Sequence, residues 1–467
     1  MAMLTDLIHS DKPMTHSEET RLVISLAWPS IIEQIMITMM QYIDTAMVGV
    51  LGADATASIG LVTTTVWLFN GFLAAAGVGF SVQVAQMLGA RRDNDAKDVT
   101  RQALLFNLVF GLILAVLAFG LSFSLPSMLG ASGIIAENAG KYFAIVGLSM
   151  PFLLTENLLA GILRCTGDTK TPMRLNLLLC ALDVVFNAIL IYPTRVINIG
   201  SISFTMYGAG LGVAGAALGS ALAIFVVAIL LLIIIFTKNT QVRVKLRDKY
   251  RFTKACLDNA CKVGVPVALE RATLSIAQIV ITVLIAKLGT VSIAANHLAV
   301  TAEALSYLPA YGIAAAATTL VGQAIGARRD DLAVRFAFKS TKLGILFMTG
   351  TGILLFAFAP QLIALFTPDS EVIALGAKVL RIEAFAQPLF AASIVATGAL
   401  RGAGDSKVPF YINLVSMWGV RITASILLAP RVGLIGVWLA MCAELCVRGI
   451  IFLYRLKKGK WMMAHRL

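Results

Sequence analysis

Charge is scarce in this chain. Of its 467 residues, 13% are charged and 58% hydrophobic, whereas a soluble protein carries about 25% charged residues. With a mean hydropathy of +0.86, this excludes the soluble class and indicates an integral membrane protein. Alternating segments of about 10 residues, the mark of a membrane barrel, are missing. Apolar runs of about 20 residues or more, enough to cross a ~30 Å hydrocarbon core as a helix, recur along the whole length. The six cysteines (Cys165, Cys180, Cys256, Cys261, Cys442 and Cys446) follow no metal-ligand spacing, so buried structural thiols are expected. The four histidines are scattered. There is no Walker A, HExxH or GxSxG sequence, so no ATPase, zinc hydrolase or serine esterase is expected, and no cofactor. The opening stretch MAMLTDLIHSDKPMTHSEET has no apolar core, so no cleavable signal is expected and the first span directs insertion. The sequence GLGVAG (210–215) fits GxGxxG but opens a membrane span. It reads as close helix packing, with Gly215 and Gly219 forming a small-xxx-small face.

What is present organises into twelve helices, at about 22–50, 56–88, 99–125, 137–160, 172–193, 212–237, 260–288, 292–322, 336–359, 372–398, 409–430 and 433–455. The net charge of +13 collects in alternate loops: Arg91, Arg92 and Lys97; Arg164 and Lys170; Lys238 to Lys254; Arg328 and Arg329; Arg401 and Lys407; Lys457 to Lys460. Basic loops mark the cytoplasmic side. The expectation is a multi-pass plasma-membrane protein with both termini inside and no affinity for nucleic acid. It divides into a cytoplasmic tail (1–21), an N-lobe of spans 1–6 (22–237), a basic cytoplasmic linker (238–254), a C-lobe of spans 7–12 (255–456) and a second tail (457–467).

The chain repeats itself. LRCTGDTKTP (163–172) returns as LRGAGDSKVP (400–409), and VAQMLGARRD (84–93) returns as VGQAIGARRD (321–330) with seven of ten positions identical. Pro29 and Glu33 return as Pro266 and Glu270, Pro151 as Pro388, and Pro193 as Pro430, always 237 residues on. After Pro193 the first half carries about sixteen extra residues before GVAGAALG, which matches GLIGVWLA at 433. Six spans per half put both halves into the membrane from the same side. The expected fold is therefore all-α, with two parallel six-helix repeats around a central cavity, an architecture suited to alternating access.

The twinned GARRD and LRxxGD(T/S)KxP loops, DTAMVGVLG after the first span, and AANHLAVTAEALSYLPAYGIAAAATTLVGQAIGA (294–327) resemble the multidrug and toxic compound extrusion (MATE) family over Leu22 to Lys457. The resemblance implies twelve helices in two lobes and gradient-driven export of cationic amphipathic compounds. The acidic pair of the NorM-like branch would fall near Leu274 and Phe390, so that cation site does not carry over. The DinF-like branch places an aspartate on span 1 and an Asn-xxx-Asp pair on span 5. Asp44 matches the first, and the pair is inverted here as Asp183 and Asn187. Ser220 resembles a span 6 threonine of that branch.

Ionisable groups inside a span cost about 2.5–3.5 kcal/mol on insertion scales, so each is a functional candidate. Glu33 and Glu270 are twins near matching prolines, which fits a scaffold or gate as well as transport. Asp44, Asp183 and Asn187 have Ile281, Val420 and Ala424 as their twins in the other half, so the shared scaffold does not require them. Asp183 and Asn187 share a helix face with Asn176, and Asp44 lies three turns, about 16 Å, beyond Glu33. The expected ion-coupling set is Asp44, Asp183, Asn187, Ser220 and Glu33, taking a proton or sodium, with sodium at Asp44, Asp183 and Asn187. The expected substrate cavity has Gln41, Glu303, Tyr307, Glu270 and Asn176, with Trp67, Asn70, Gln83 and Tyr311 as further lining. Glu444 and Arg448 read as an i, i+4 pair. The expected partners are small cationic molecules and membrane lipid, and the chain is expected to work as a monomer. The rival is a lipid-linked precursor flippase, whose anionic cargo would call for cavity arginine and lysine.

Overall fold

The computed structural model describes residues 4–9, 14–199, 202–238, 240–245 and 247–463. Residues 464–467 of the expected C-terminal tail, with His465, lie outside them. Eleven helices are long and apolar enough to cross a membrane, and a bent pair makes a twelfth span. Spans 1–6 are His16–Gly49, Ala53–Gly89, Asp93–Ser122, Gly133–Cys165, Lys170–Leu190 and Gly212–Thr237. Spans 7–9 are Lys254–Ala286, Thr290–Gly326 and Asp330–Ala357; span 12 is Leu434–Lys458.

The two halves differ at three places. The extra residues after span 5 form a hairpin, β1 (Pro193–Ile199) against β2 (Ile202–Ala209), with Val196 opposite Thr205. The fold is thus not entirely helical: β-branched residues dominate β1, and β2 mixes β-branched with aromatic residues, both of which favour the extended chain. Span 10 is two helices, Ser370–Ala384 and Gln387–Gly402, bent by 58°. The break precedes Pro388, whose ring cannot continue the helix before it, although its twin Pro151 sits inside an unbroken span 4. Span 11 carries a π-helical segment at Ser416–Ile422 between Lys407–Val415 and Thr423–Val432, where span 5 is regular.

The described residues of both tails dock on the bundle. The helix Leu4–Ile8 sets Leu4 and Ile8 into a core cluster with Leu26, Phe336, Phe452 and Trp461, and His9 Nε2 meets the Gly89 carbonyl at 2.7 Å. Span 1 starts earlier than expected because Thr15 and Glu18 form a reciprocal capping box. In the linker, Val242 and Val244 are fully buried against the N-lobe. Of the thiols, Cys165 and Cys256 are buried, but Cys261 is exposed, contrary to expectation.

The lobes meet about a pseudo-two-fold. Gly89 packs on the backbone of Gln323, and its twin Gly326 packs on the backbone of Gln86. Gln86 Nε2 donates to the Gly402 carbonyl at 3.1 Å, and Gln323 Nε2 donates to the Cys165 carbonyl at 2.6 Å. Each contact recurs 237 residues on, so the repeat in sequence is a rotation in space. These contacts lie at the end bearing the GARRD loops, where Arg91 and Arg328 both adopt φ 57°. The buried Glu19 of span 1 adds ion pairs to Arg335 (3.0 Å) and Lys339 (2.6 Å) of span 9. The lobes are therefore closed at that end.

Candidate functional site

Spans 1 and 5 run parallel and touch along a polar seam in constant register. Asn176 Nδ2 donates to Glu33 Oε1 at 3.0 Å, Cys180 Sγ donates to the Met36 carbonyl at 3.5 Å, and Asn187 Nδ2 donates to Asp44 Oδ1 at 2.9 Å. The seam has two polar rungs, and they differ in kind.

The first rung is duplicated. Arg164 Nη1 donates to Glu33 Oε1 at 2.7 Å, beside Asn176. In the C-lobe, Arg401 Nη2 donates to both Glu270 oxygens (2.9 and 2.8 Å), and Asn413 Nδ2 to Oε1 at 2.9 Å. Glu33, Arg164 and Asn176 correspond one for one to Glu270, Arg401 and Asn413. Arg164 and Arg401, counted in the sequence as loop charges, in fact turn back into the bundle as counter-ions. The fixed offset of 237 between both arginines and both glutamates was the available signal. Glu156 joins only the N-lobe rung, accepting from Asn176 at 3.3 Å.

The second rung exists only in the N-lobe. Asn187 Nδ2 bridges Asp44 Oδ1 and Asp183 Oδ2, the latter at 3.0 Å. Asp183 and Asn187 are fully buried, and Asp44 is half-buried. Asp183 Oδ1 and Asn187 Oδ1 are buried acceptors without a partner among the described residues. The amide oxygen of Asn187 abuts Gly219 of span 6 so closely that a Cβ there would overlap it. For Ser220, one residue on, no hydrogen bond to the trio is found among the described residues; its neighbour Gly219 makes the contact. Gly215 packs likewise on the Leu190 carbonyl, as the small-residue face predicts.

The substrate-cavity residues scatter. Gln41 is exposed on span 1. Glu303 is 5% exposed and touches Glu383; Glu383 also accepts from Gln387 Nε2 at 2.5 Å, and Ser306 donates to Gln387 Oε1 at 2.7 Å. The span 10 break thus sets Glu383 and Gln387 against span 8. Tyr307 packs on Tyr311 and Phe390, with ring centroids at 6.3 and 5.5 Å. Trp67 is exposed, and Gln83 bonds across the lobes to the Cys256 carbonyl at 3.2 Å. Glu444 pairs with Arg448 at 3.1 Å. A cavity of about 200 Å³ opens in the C-lobe, lined by Glu270, Arg271, Tyr311, Phe390, Arg401 and Arg448 among others.

Comparison with known proteins places this architecture. The MatE family model matches residues 29–189 and again 266–427, one match per repeat and together more than half of the chain. The chain is 28% identical to the "Probable multidrug resistance protein NorM" of Thermotoga maritima, covering 94% of this chain and 92% of that one. It is 26% identical to the "Uncharacterized transporter YisQ" of Bacillus subtilis, over 96% of each. Among solved structures, a MATE crystallised in complex with MaL6 superposes with TM-score 0.88 at 24% identity, covering 98% of this chain and 99% of the other. The outward-facing conformation of a multidrug resistance MATE family transporter gives TM-score 0.87 at 23% identity, over 98% of each.

Proposed function

The chain belongs to the MatE family, and on that premise we propose that it is a secondary active multidrug exporter whose coupling ion binds at Asp44, Asp183 and Asn187. The observation that carries this reading is the asymmetry of the span 1–span 5 seam. Its first rung is conserved between the lobes as a charge-balanced clamp, which any scaffold role explains. Its second rung sets two carboxyls against one amide, with no ion pair to either carboxyl among the described residues, and the C-lobe supplies Ile281, Val420 and Ala424 instead. Two adjacent carboxyls in low dielectric hold charge poorly and take up a proton or a cation readily.

The amide favours the proton. Asn187 turns its nitrogen to both carboxyls and its oxygen to Gly219. A sodium ion between the carboxyls would want an oxygen there. Protonation needs no such reorientation, and it weakens the acceptor strength that holds spans 1 and 5 together at this rung. Span 1 also packs against span 8 of the other lobe, where Tyr42 Oη donates to the Thr301 carbonyl at 3.1 Å. A change at the seam therefore reaches the lobe interface directly. With the basic GARRD loops on the cytoplasmic side, the contacts at that end shut the cytoplasmic path, so substrate would leave on the other side as the ion enters.

The test is efflux from proteoliposomes with proton and sodium gradients imposed separately. Wild type is expected to respond to the proton gradient, and Asp44→Asn to lose that response while retaining fold and substrate binding. Full gradient-driven transport by Asp44→Asn would end the coupling assignment.

A further inference from the structure

The C-lobe cavity differs in charge from the corresponding region of the N-lobe. Both lobes hold the Glu–Arg–Asn clamp. Around it the N-lobe has Gln34, Glu156 and Val227; at the equivalent positions the C-lobe has Arg271, Ser393 and Arg448, counting span 12 from the GVAGAALG and GLIGVWLA match. The exchange removes an acid and adds two arginines, of which Arg448 brings its own partner, Glu444, where the N-lobe has Ala223. All three C-lobe residues line the cavity.

The cations there are not all balanced. Arg401 is taken by Glu270 and Arg448 by Glu444. Among the described residues, Arg271 pairs with no carboxylate. It sits midway along span 7, about 25 Å from the Lys254 end, with its guanidinium 5.8 Å from the centroid of Tyr311. Gly71 of span 2 makes room for its stem: a Cβ there would lie 3.1 Å from Arg271 Cβ. Arg401 adds a buried Nε without an acceptor. An uncompensated guanidinium at mid-membrane depth is costly and calls for an anionic partner. Its planar fork suits a carboxylate or phosphate held by two parallel hydrogen bonds. Leu274, Ile394, Phe390 and Tyr311 give the space an apolar side, and Val78 of span 2 closes on it from the other lobe; about 200 Å³ is room for a ring or a short chain.

We propose that this cavity binds the anionic end, carboxylate or phosphate, of an amphipathic ligand on Arg271, with its apolar part against Tyr311 and Phe390. The inference deepens the exporter reading and rests on it for the fate of the ligand. It widens the expected substrates from cations to anions and zwitterions, and it supplies in one lobe the basic lining that a flippase would use.

The test uses the purified full-length chain in detergent and three probes with one ring system: 1-naphthaleneacetate, 1-naphthyl phosphate and 1-naphthylmethylammonium. Binding is measured calorimetrically without any gradient. Wild type is expected to bind one or both anions at least tenfold more tightly than the ammonium probe. Arg271→Gln is expected to lose that preference, with ammonium binding unchanged, and Arg271→Lys to keep part of it. Ser393→Glu, which installs the acid that the N-lobe carries at Glu156, is expected to abolish anion binding even if Arg271→Gln does not fold. A preference for phosphate or for carboxylate identifies the anionic group that Arg271 holds, and either supports the proposal. Anion binding that survives both substitutions, a wild-type preference for ammonium, or no anion binding at millimolar concentration overturns the proposal. Because no gradient is involved, an Arg271-dependent anion site in a protein without gradient-driven efflux would sink only the transport reading.

Discussion

Alanine at Gly326 or Gly89 would wedge the lobes apart at the closed end. At Gly326 the new Cβ lies 2.7 Å from the carbonyl carbon and 2.9 Å from the Cα of Gln86; at Gly89 both distances to Gln323 are 2.7 Å. Carbon atoms pack comfortably at about 3.5 Å, so spans 2 and 8 must part by at least about 0.8 Å, and further to clear the carbonyl oxygen of the facing glutamine, which lies nearer still. The obstructing atoms are backbone, and no rotamer change relieves them. Overpacking of this kind costs about 1–3 kcal/mol, and here it falls only on the state in which this end is closed. The closed-end population should then drop about 5- to 150-fold relative to the open one. The double variant should cost less than the sum of the two, because one separation relieves both contacts. The native reporter is the Cys165 thiol, 2% exposed beside the same interface. In a background with the other five cysteines replaced by alanine, maleimide labelling of Cys165 from the GARRD side should accelerate by the same factor. Gly350→Ala is the control, since its Cβ meets nothing within 4 Å. Unchanged labelling and transport in both twin variants would refute the gate.

Three further outcomes follow from the same contacts. Glu270→Gln leaves Arg401 without its counter-ion and should cost about 3–5 kcal/mol, while Glu33→Gln should cost less, because Glu156 stays beside Arg164 and Asn176; unchanged thermal stability in both variants would contradict a shared clamp. Gly219→Ala presses on the Asn187 amide and should reduce proton-driven efflux at unchanged expression; wild-type flux would show that the amide's position is irrelevant. In the loop between spans 4 and 5, burial opposes the charge of Asp168. The Lys238 ammonium at 2.8 Å and the Thr171 hydroxyl and amide outweigh it and hold the carboxyl below its usual 3.8. Because the value is lowered, this contribution is complete above pH 3.8 and is lost as the pH falls through the lowered value. Lys238 is 48% exposed, so Lys238→Gln should cost less than about 1 kcal/mol, and the Tm difference should vanish on acidification; a gap that persisted would exclude this pair as its source.

The seam between spans 1 and 5 shows how far residue spacing reaches. Glu33 and Asp44 are eleven apart, and so are Asn176 and Asn187, so each set lies on one helix face by periodicity alone. That the two faces meet, rung to rung, follows from both helices crossing in the same direction in register. Arg164 shows the opposite. A basic residue at the end of a span reads as an orientation signal, and only the fold turns its side chain inward to Glu33.

Class, span count, repeat and the singularity of Asp44 were all present in the chain alone, because hydropathy, a constant offset of 237 and a missing twin are one-dimensional quantities. The hairpin, the break before Pro388, the π segment of span 11 and the unbalanced Arg271 were not. They depend on how each helix is rotated and crossed against its neighbours, and identical residues such as Pro151 and Pro388 meet different neighbours in the two lobes. Which charges are paired, and which one is left facing a cavity, is therefore decided only when the helices are packed.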